Sequence, residues 1–516
     1  MKYGDKKLNQ KGFSTLEMLM AMFVLLLALT AVITVSFGNQ SMILDSQMNA
    51  EALNIAQGLL EKAQADSRKD FNLVNPVAET TEDGFTYRTE VVQKDYFTKL
   101  VTAYVDFPED SGRHGETKLT AIVANFNNAV GGDTCSSVLY PSAEAWRSPE
   151  IKDTFDPSDF IDLVADGLGD DYPITDIDAY QSRLYVTANN PAAATSTEPT
   201  LFMFDIDTSD GANPKIEPVE DGFADNNEEV ESGLNAVVVA EDPASSFDPK
   251  EIYAYVASNA GDQLQVIDVG VTPPVMVASV GVAGRAGNSI FYKNGFIYLG
   301  LKGSSVSGDN EFYIFDVHHP ENPSWVGGSF NLGNSDINAI YVRDRYAYLA
   351  TADDDNLTVL DISNAASPHR AGEGFTGSGS NNGKSIFMAG DTLYLGRTEG
   401  GTELSVLNMN DPEAVPFPLM TSRDNINISV DGLFIKGATQ TTAAPEMNGL
   451  AFLLTKENFQ VFDADQLGVT STAPVITVDL PNNVNGDNEA VLDCEKDVFF
   501  VGSNDGDKGY LYLIAP

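Results

Sequence analysis

The longest apolar run of the chain lies near its N-terminus and is long enough to cross a membrane. Residues 18–37 read MLMAMFVLLLALTAVITVSF and carry no charge. A helix rises about 1.5 Å per residue, so this run matches the roughly 30 Å hydrocarbon core of a bilayer. Lys2, Lys6, Lys7 and Lys11 precede it and favour a cytoplasmic location for that end. The pattern predicts a membrane-spanning helix, with the chain beyond residue 38 exported.

Apolar positions return after Gly38 at near-helical spacing, with polar residues between them. This pattern predicts that the same helix leaves the membrane and continues as an amphipathic stem to about Ser67. Three β-rich runs follow, at residues 85–92, 99–108 and 118–126, and polar turns separate them. We therefore predict an α+β unit, in which the long helix packs on a small antiparallel sheet within residues 69–131.

From Ile174 onward one pattern of strands recurs seven times. Each copy has an apolar strand, a short turn, a strand centred on an aromatic residue, a loop, and a third strand that often ends in Asp. The intervals between successive aromatic residues are mostly 43 to 50 residues, with two longer ones. The aromatic residues are Tyr185, Tyr255, Tyr298, Tyr348, Tyr394, Phe452 and Phe500. Such a period is typical of a β-propeller, so we predict an all-β propeller of seven blades over residues 132–516. A parallel β-helix is the alternative, although its rungs would be much shorter.

The last copy stops after its third strand, which would leave a bare sheet edge. Residues 156–167 precede the first copy and resemble an outer strand, so we predict that they fill this gap and close the ring. The two cysteines, Cys135 and Cys494, are far apart in sequence. A disulfide between them would fasten the same junction in an exported protein, and two buried free thiols are the alternative.

The chain is strongly acidic, and the excess lies in its C-terminal part. It has 516 residues, with 75 Asp and Glu against 30 Lys and Arg, and a formal net charge of −45. The first 130 residues hold only 16 of the acidic and 12 of the basic residues. A surface so poor in cations repels phosphate backbones, which excludes nucleic acid as a partner.

Several loops combine carboxylates and amides with glycine, as a hard cation such as Ca²⁺ requires. None of them has the twelve-residue EF-hand spacing, and solvated turns are the alternative interpretation. Calcium is thus the only cofactor that the sequence suggests. The candidate ligands are Asp205, Asp207, Asp210, Asp353, Asp354, Asp355, Asp505 and Asp507.

Catalytic motifs do not stand out in the sequence. The chain has four histidines, of which His318 and His319 are adjacent in a loop after a third strand. The sequence contains no nucleophile elbow, Walker loop or HExxH motif. We therefore expect a protein that is not an enzyme.

The segment KGFSTLE, residues 11–17, resembles the signal of type IV prepilins and pseudopilins. In that family a membrane peptidase cuts after the glycine, here Gly12, and methylates the new N-terminal residue, here Phe13. The resemblance implies a leader peptide at residues 1–12 and a retained helix at residues 13–68. The family's glutamate, here Glu17, offsets the N-terminal ammonium of a neighbouring subunit, and such a pairing lowers the cost of burying both charges.

The pilin resemblance covers residues 1 to about 130. The later repeats are similar to the LVIVD family of extracellular propellers, and VLDIS (359–363) and VIDVG (266–270) carry that likeness. Together they imply a minor pilin or pseudopilin subunit of a type IV pilus-like filament. It would be a single-pass membrane protein before assembly and would then display the propeller at the cell surface, at the tip or at sparse positions.

The implied partners are other pilin subunits, bound through the helix, the prepilin peptidase, the inner-membrane assembly machinery, and an extracellular ligand or surface. The propeller would serve adhesion or protein interaction. Two alternatives remain open at this stage. One is a type II secretion-like pseudopilin that engages exported cargo, and the other is a propeller enzyme tethered to the surface.

Overall fold

The computed structural model divides the chain into two compact units. One comprises residues 1–94 and 98–125, and the other comprises residues 95–97 and 126–516. The residues that the structure describes are 15–69, 74–82, 84–93, 98–108, 114–124, 145–155, 173–188, 199–210, 213–225, 233–244, 251–259, 261–282, 285–303, 310–352, 355–377, 381–389, 392–409, 411–413, 417, 419–423, 428–436, 449–467, 473–481, 488–493, 496–505 and 508–516.

One long helix and one sheet form the first unit. Helix α1 (Thr15–Lys69) runs without interruption through the apolar segment, past Gly38 and into the stem. The sheet has the order β1-β2-β3-β4 and is antiparallel throughout. Its strands are β1 (Thr80–Glu82), β2 (Phe85–Gln93), β3 (Thr98–Pro108) and β4 (His114–Ala124). Strands β2 to β4 occupy the three predicted β-rich runs, and β1 is an additional short edge strand.

The two halves of α1 have different surroundings. Met18–Val35 has a mean hydropathy of 2.7 and is exposed, as a segment surrounded by lipid would be. Within it, the hydroxyls of Thr30 and Thr34 donate to helix carbonyls one turn earlier, which satisfies them without water. Farther along, Ala52, Ala56 and Leu60 are buried against the sheet. The two alanines let the helix approach the strands closely.

The second unit consists of short strands. In chain order they are β5 (Glu150–Phe155), β6 (Ile174–Tyr180), β7 (Arg183–Ala188), β8 (Pro199–Asp207), β9 (Lys215–Asp225), β10 (Leu234–Glu241), β11 (Ile252–Ser258), β12 (Leu264–Asp268), β13 (Val275–Val280), β14 (Gly287–Lys293), β15 (Phe296–Leu301), β16 (Phe312–Asp316), β17 (Ser324–Phe330), β18 (Ile337–Arg343), β19 (Tyr346–Thr351), β20 (Leu357–Asp361), β21 (His369–Arg370), β22 (Gly383–Ala389), β23 (Thr392–Arg397), β24 (Leu404–Asn408), β25 (Leu419–Arg423), β26 (Val430–Lys436), β27 (Leu450–Thr455), β28 (Asn458–Asp463), β29 (Ile476–Asp479), β30 (Glu489–Asp493), β31 (Val498–Asp505) and β32 (Lys508–Ala515).

Within the described part of this unit, these strands form four-stranded antiparallel sheets. Six of the sheets are consecutive in sequence, from β6-β7-β8-β9 to β26-β27-β28-β29, and another has the order β30-β31-β32-β5. The first strands of successive sheets, β6, β10, β14, β18, β22, β26 and β30, contact one another in turn, and β30 contacts β6. This cyclic arrangement of small sheets is that of a β-propeller.

The hydrophobic core of the propeller lies between the sheets. Each core cluster joins two sheets that are neighbours around the cycle; for example, Phe204 on β8 packs in the same cluster as Phe500 on β31. The aromatic residues that mark the sequence repeat lie on the second strand of each sheet and belong to these cores. Among them, Tyr255, Tyr348 and Phe452 are fully buried. The repeat in sequence thus reflects a repeat of packing at the seams between sheets.

The ring closes with a strand from the N-terminal side, but not with the predicted one. Strand β5 pairs with β32, with Glu150 opposite Ala515 and Phe155 opposite Leu511. The sequence predicts this strand at residues 156–167, which lie outside the described residues. The structure assigns the position to residues 150–155 instead. The edge of β32 is therefore covered by the segment just before the predicted one.

Candidate functional site

The first strands of the described propeller sheets surround a cavity of about 1220 Å³. Each of these strands, from β6 to β30, contributes lining residues. A cavity on the axis of a propeller is a common location for ligands, because loops and strands from every sheet converge there. We therefore treat this channel as the candidate site and consider its wall strand by strand.

A ring of polar side chains lines the channel near the start of each first strand, at the second residue of six of them and at the first residue of β30. The ring consists of Thr175, Asn235, Asn288, Asn338, Lys384 and Asp431, with Glu489 at the corresponding place. Several of these side chains donate to a backbone carbonyl of the next sheet. Asn235 Nδ2 lies 2.6 Å from the Gly287 oxygen, and Asn338 Nδ2 lies 2.7 Å from the Gly383 oxygen. The ring therefore joins neighbouring sheets.

The carboxylates of the channel also bond to neighbouring strands. Asp176 and Asp178, on β6, accept from the backbone N–H groups of Val237 and Val239 on β10, at 2.8 and 2.6 Å. These bonds satisfy backbone N–H groups on the side of β10 that pairs with no strand of its own sheet. Asp431 lies 3.6 Å from the ammonium of Lys384, the one basic residue among the described lining residues. The acidity of the channel is therefore used at least in part to hold the sheets together.

Aromatic side chains form a second feature of the wall. Phe291 and Tyr341 lie on adjacent first strands, with ring centroids 5.4 Å apart. Tyr292 stacks on the buried Tyr255 at 5.7 Å. Burial raises the pKa of both tyrosines above the ordinary value, and of the two only Tyr292 lines the channel. The channel thus offers aromatic faces and hydroxyl donors, a combination that suits non-covalent recognition.

The described candidate calcium ligands are engaged in local contacts. Asp205 pairs with Arg183 at 2.8 Å, and Asp355 pairs with Arg370 at 2.7 Å. Asp207 accepts from the Ser209 N–H, and this bond lowers its pKa. Asp210 accepts from Asn213 Nδ2.

Asp505 is the last residue of β31 and pairs with Lys508, the first residue of β32. Among the described residues no group of three His, Cys, Asp or Glu side chains is placed to hold a metal ion. Asp353, Asp354 and Asp507 lie outside them, and calcium binding stays a prediction.

The residues of the predicted processing signal and disulfide are not part of the described structure. Gly12, Phe13, Cys135 and Cys494 lie outside the described residues. Glu17 lies in α1, within the described helix, but its side chain is outside the description. The roles assigned to these five residues stay predictions.

Sequence reasoning missed two sets of structural residues. The first is the polar ring, whose signal is present as Asn235, Asn288 and Asn338 at the same place in three successive repeats. The second is Trp146, which is fully buried although it precedes the first repeat. A tryptophan in a polar stretch outside the repeat is a weak sequence signal, since only the fold shows what it packs against.

Comparison with known proteins supports the propeller part of the sequence interpretation. The family model described as the LVIVD repeat matches residues 336–373. This range contains the VLDIS segment and coincides with the sheet β18-β19-β20-β21. No curated protein matches the chain.

Solved structures show similarity at low sequence identity. The structure titled "YCF48 bound to D1 peptide" is 9% identical, covers 70% of this chain and 96% of its own, and has a TM-score of 0.39. A putative 6-phosphogluconolactonase from Bacteroides fragilis is 11% identical, covers 66% of this chain and 82% of its own, and has a TM-score of 0.34. A nidogen/laminin complex is 13% identical, covers 48% of this chain and 79% of its own, and has a TM-score of 0.30.

Proposed function

We propose that this chain is a minor subunit of a type IV pilus-like filament that displays a seven-bladed propeller outside the cell. The observation that carries the proposal is the construction of α1. A single helix presents a bare apolar surface over Met18–Val35 and then packs its alanine face on a small sheet. A helix of this kind can lie in a bilayer before assembly and pack against the helices of other subunits afterwards.

The segment that leads into α1 and includes its first residues supplies the second support. The KGFSTLE sequence stands directly ahead of the apolar run, where a prepilin peptidase would cut after Gly12. The proposed mature chain begins at Phe13, and Glu17 sets the register of each helix against the N-terminus of its neighbour. Assembly then involves the peptidase, the inner-membrane machinery and other subunits.

The closed cycle of first strands and the sheet completed by β5 support the proposed count of seven blades. A ring of this bulk obstructs regular packing along a filament, which favours a tip or a sparse position. Several basic residues of the propeller are buried, among them Arg285, Arg343, Arg397 and Arg423. Because these cations do not neutralise the surface, the exterior favours neutral or basic ligands.

N-terminal analysis of the protein from its native host tests the proposal. We expect the mature chain to begin at an N-methylated Phe13. A chain that begins at Met1, or beyond residue 37, would contradict it. As a matched pair, Gly12→Val should block the cut, whereas Glu17→Gln should leave the cut intact and remove the subunit from purified filaments.

A further inference from the structure

The chain enters the propeller through a tryptophan that is fully buried. Trp146 lies in the short 3₁₀ turn Ala145–Arg147, directly before β5, and has no exposed surface. Its ring meets Phe452 and Phe499 edge to face, with centroid distances of 5.4 and 5.3 Å. Its indole Nε1 donates to Asp497 Oδ1 at 2.9 Å. The side chain therefore makes both apolar and polar contacts with the ring.

These contacts span the seam between two sheets. Phe452 belongs to β27 and Phe499 to β31, so the indole is held by the sheet β26-β27-β28-β29 and by the closing sheet. The next residue, Arg147, forms an ion pair with Asp463 at the end of β28. The turn thus fastens the incoming chain to the penultimate sheet before the closing strand begins.

Strand β5 alone is a weaker attachment. It is an edge strand, and Phe155 is its only buried residue. Its hydrogen bonds to β32 begin with the pair Glu150 and Ala515. At its centre, Asp153 Oδ2 accepts from the Ile216 N–H of the first sheet, at 2.9 Å. An edge strand pulled from one end loses its pairs one after another, because only the outermost pair is loaded at a time.

The order of these attachments along the chain is important. The propeller follows the helix–sheet unit in sequence, so tension between an anchored α1 and a bound propeller passes along the chain into residue 145. Along the described residues, and with Cys135 and Cys494 reduced, it reaches the Trp146 contacts before the Glu150–Ala515 pair. A buried indole must leave its pocket in one step, whereas the strand can be peeled.

We infer that Trp146 is a mechanical lock that keeps the ring closed when the propeller is pulled through its N-terminal connection. The lock protects β5 from being peeled off β32. The inference depends on the proposed function only for the source of the tension. Failure of the filament proposal would appear in the N-terminal analysis, whereas failure of the lock would appear in the mechanical test below.

Optical-tweezers measurements on the full chain in detergent micelles test the lock. Cys135 and Cys494 are replaced by serine so that no disulfide bypasses the lock. One DNA handle is attached to a peptide tag inserted after residue 144, and the other to the C-terminus. At constant force we expect Trp146→Ala to open the closing sheet at least about tenfold faster than the parent chain, as removal of a large buried side chain implies. Trp146→Phe, which keeps an aromatic ring but loses the bond to Asp497, should lie between the two.

The control is Phe315→Ala, which removes an equally buried ring from a distant seam, between the β10–β13 and β14–β17 sheets. It should leave the first opening rate unchanged, because Phe315 does not lie on the load path. The inference is wrong if Trp146→Phe opens like the parent chain, or if Phe315→Ala accelerates the first opening as much as the Trp146 variants do. If Trp146→Ala does not fold, Arg147→Ala replaces it in the test, because this variant removes the partly exposed ion pair with Asp463. The closing sheet of Arg147→Ala should also open faster than that of the parent chain.

Discussion

The helix–sheet unit and the propeller solve the problem of burying apolar surface in opposite ways. In the first unit one face of one helix covers one face of one sheet, and Ala52 and Ala56 lie at the contact. In the propeller every sheet is covered by the next sheet, and the last is completed by β5 from the beginning of the unit. The first core is built largely from neighbouring segments, whereas the second depends on a pairing between residues 150 and 515.

The two units also treat charge differently. The ion pair of Arg88 and Glu90 lies on the surface of the small sheet, with both side chains exposed. Arg285 and Glu311, by contrast, form a 2.8 Å pair inside the propeller, where their side chains are only 6% and 0% exposed. We therefore expect that the same kind of substitution changes the unfolding free energy of the two units by different amounts.

The largest effect should come from removing a core phenylalanine from each unit. Phe452→Ala deletes a fully buried ring at the closing seam, and Phe85→Ala deletes a ring that packs 6.2 Å from Phe107. Each should cost about 4 kcal/mol of unfolding free energy in its own unit. In scanning calorimetry of the full chain in micelles, we expect two transitions, of which each variant lowers only one. A single transition lowered by both variants would contradict the division into separate cores.

A smaller effect should follow from removing one partner of each ion pair. Glu311→Gln leaves the Arg285 guanidinium buried without its countercharge and weakens the bond from the Leu332 N–H to Glu311 Oε2. We expect a loss of about 3 kcal/mol from the propeller, measured as a lower urea midpoint. The matched Glu90→Gln should cost less than about 1 kcal/mol, because water already solvates that pair. Equal losses would show that burial does not distinguish the two pairs.

The sequence predicts much of this fold because its patterns are repeated or long. The apolar run of α1 is recognisable by its length alone. The aromatic strands around Tyr348 and Phe452 are recognisable because each meets its core at a fixed position within the repeat. The closing strand is different. Residues 150–155 bury only Phe155, so their pattern does not distinguish them from residues 156–167, and only their pairing with β32 does.

The channel was harder to predict for a related reason. Asp176 and Asp178 lie in the first apolar strand of the repeat, and they accept hydrogen bonds from the N–H groups of Val237 and Val239, about 60 positions later. The role of a carboxylate depends on the groups that face it, and here those groups come from another sheet. The polar ring was hard to predict for the same reason, because Asn288 donates to the Ile337 carbonyl of the next sheet.

The smallest effects should have opposite signs in the two units. Gly383 begins β22, where a Cβ atom would overlap the carbonyl oxygen of Asn356 and lie 3.0 Å from the Thr351 nitrogen, both in the preceding sheet. Neither backbone atom can move without disturbing the seam. Gly58 lies in α1 with open space around the position of a Cβ atom. Substitution by alanine therefore creates a steric overlap at Gly383, whereas at Gly58 it only restricts the backbone.

Gly383→Ala should destabilise the propeller by about 1–3 kcal/mol, the usual cost of overpacking. Gly58→Ala should stabilise the helix–sheet unit by about 0.5–1 kcal/mol, because alanine restricts the unfolded chain and favours the helix. Both shifts can be read from the two calorimetric transitions, in which one midpoint should fall and the other rise. If Gly383→Ala leaves the propeller midpoint unchanged, its sheets are not packed as closely as the structure shows. If Gly58→Ala lowers the first midpoint, that face of α1 is covered rather than open.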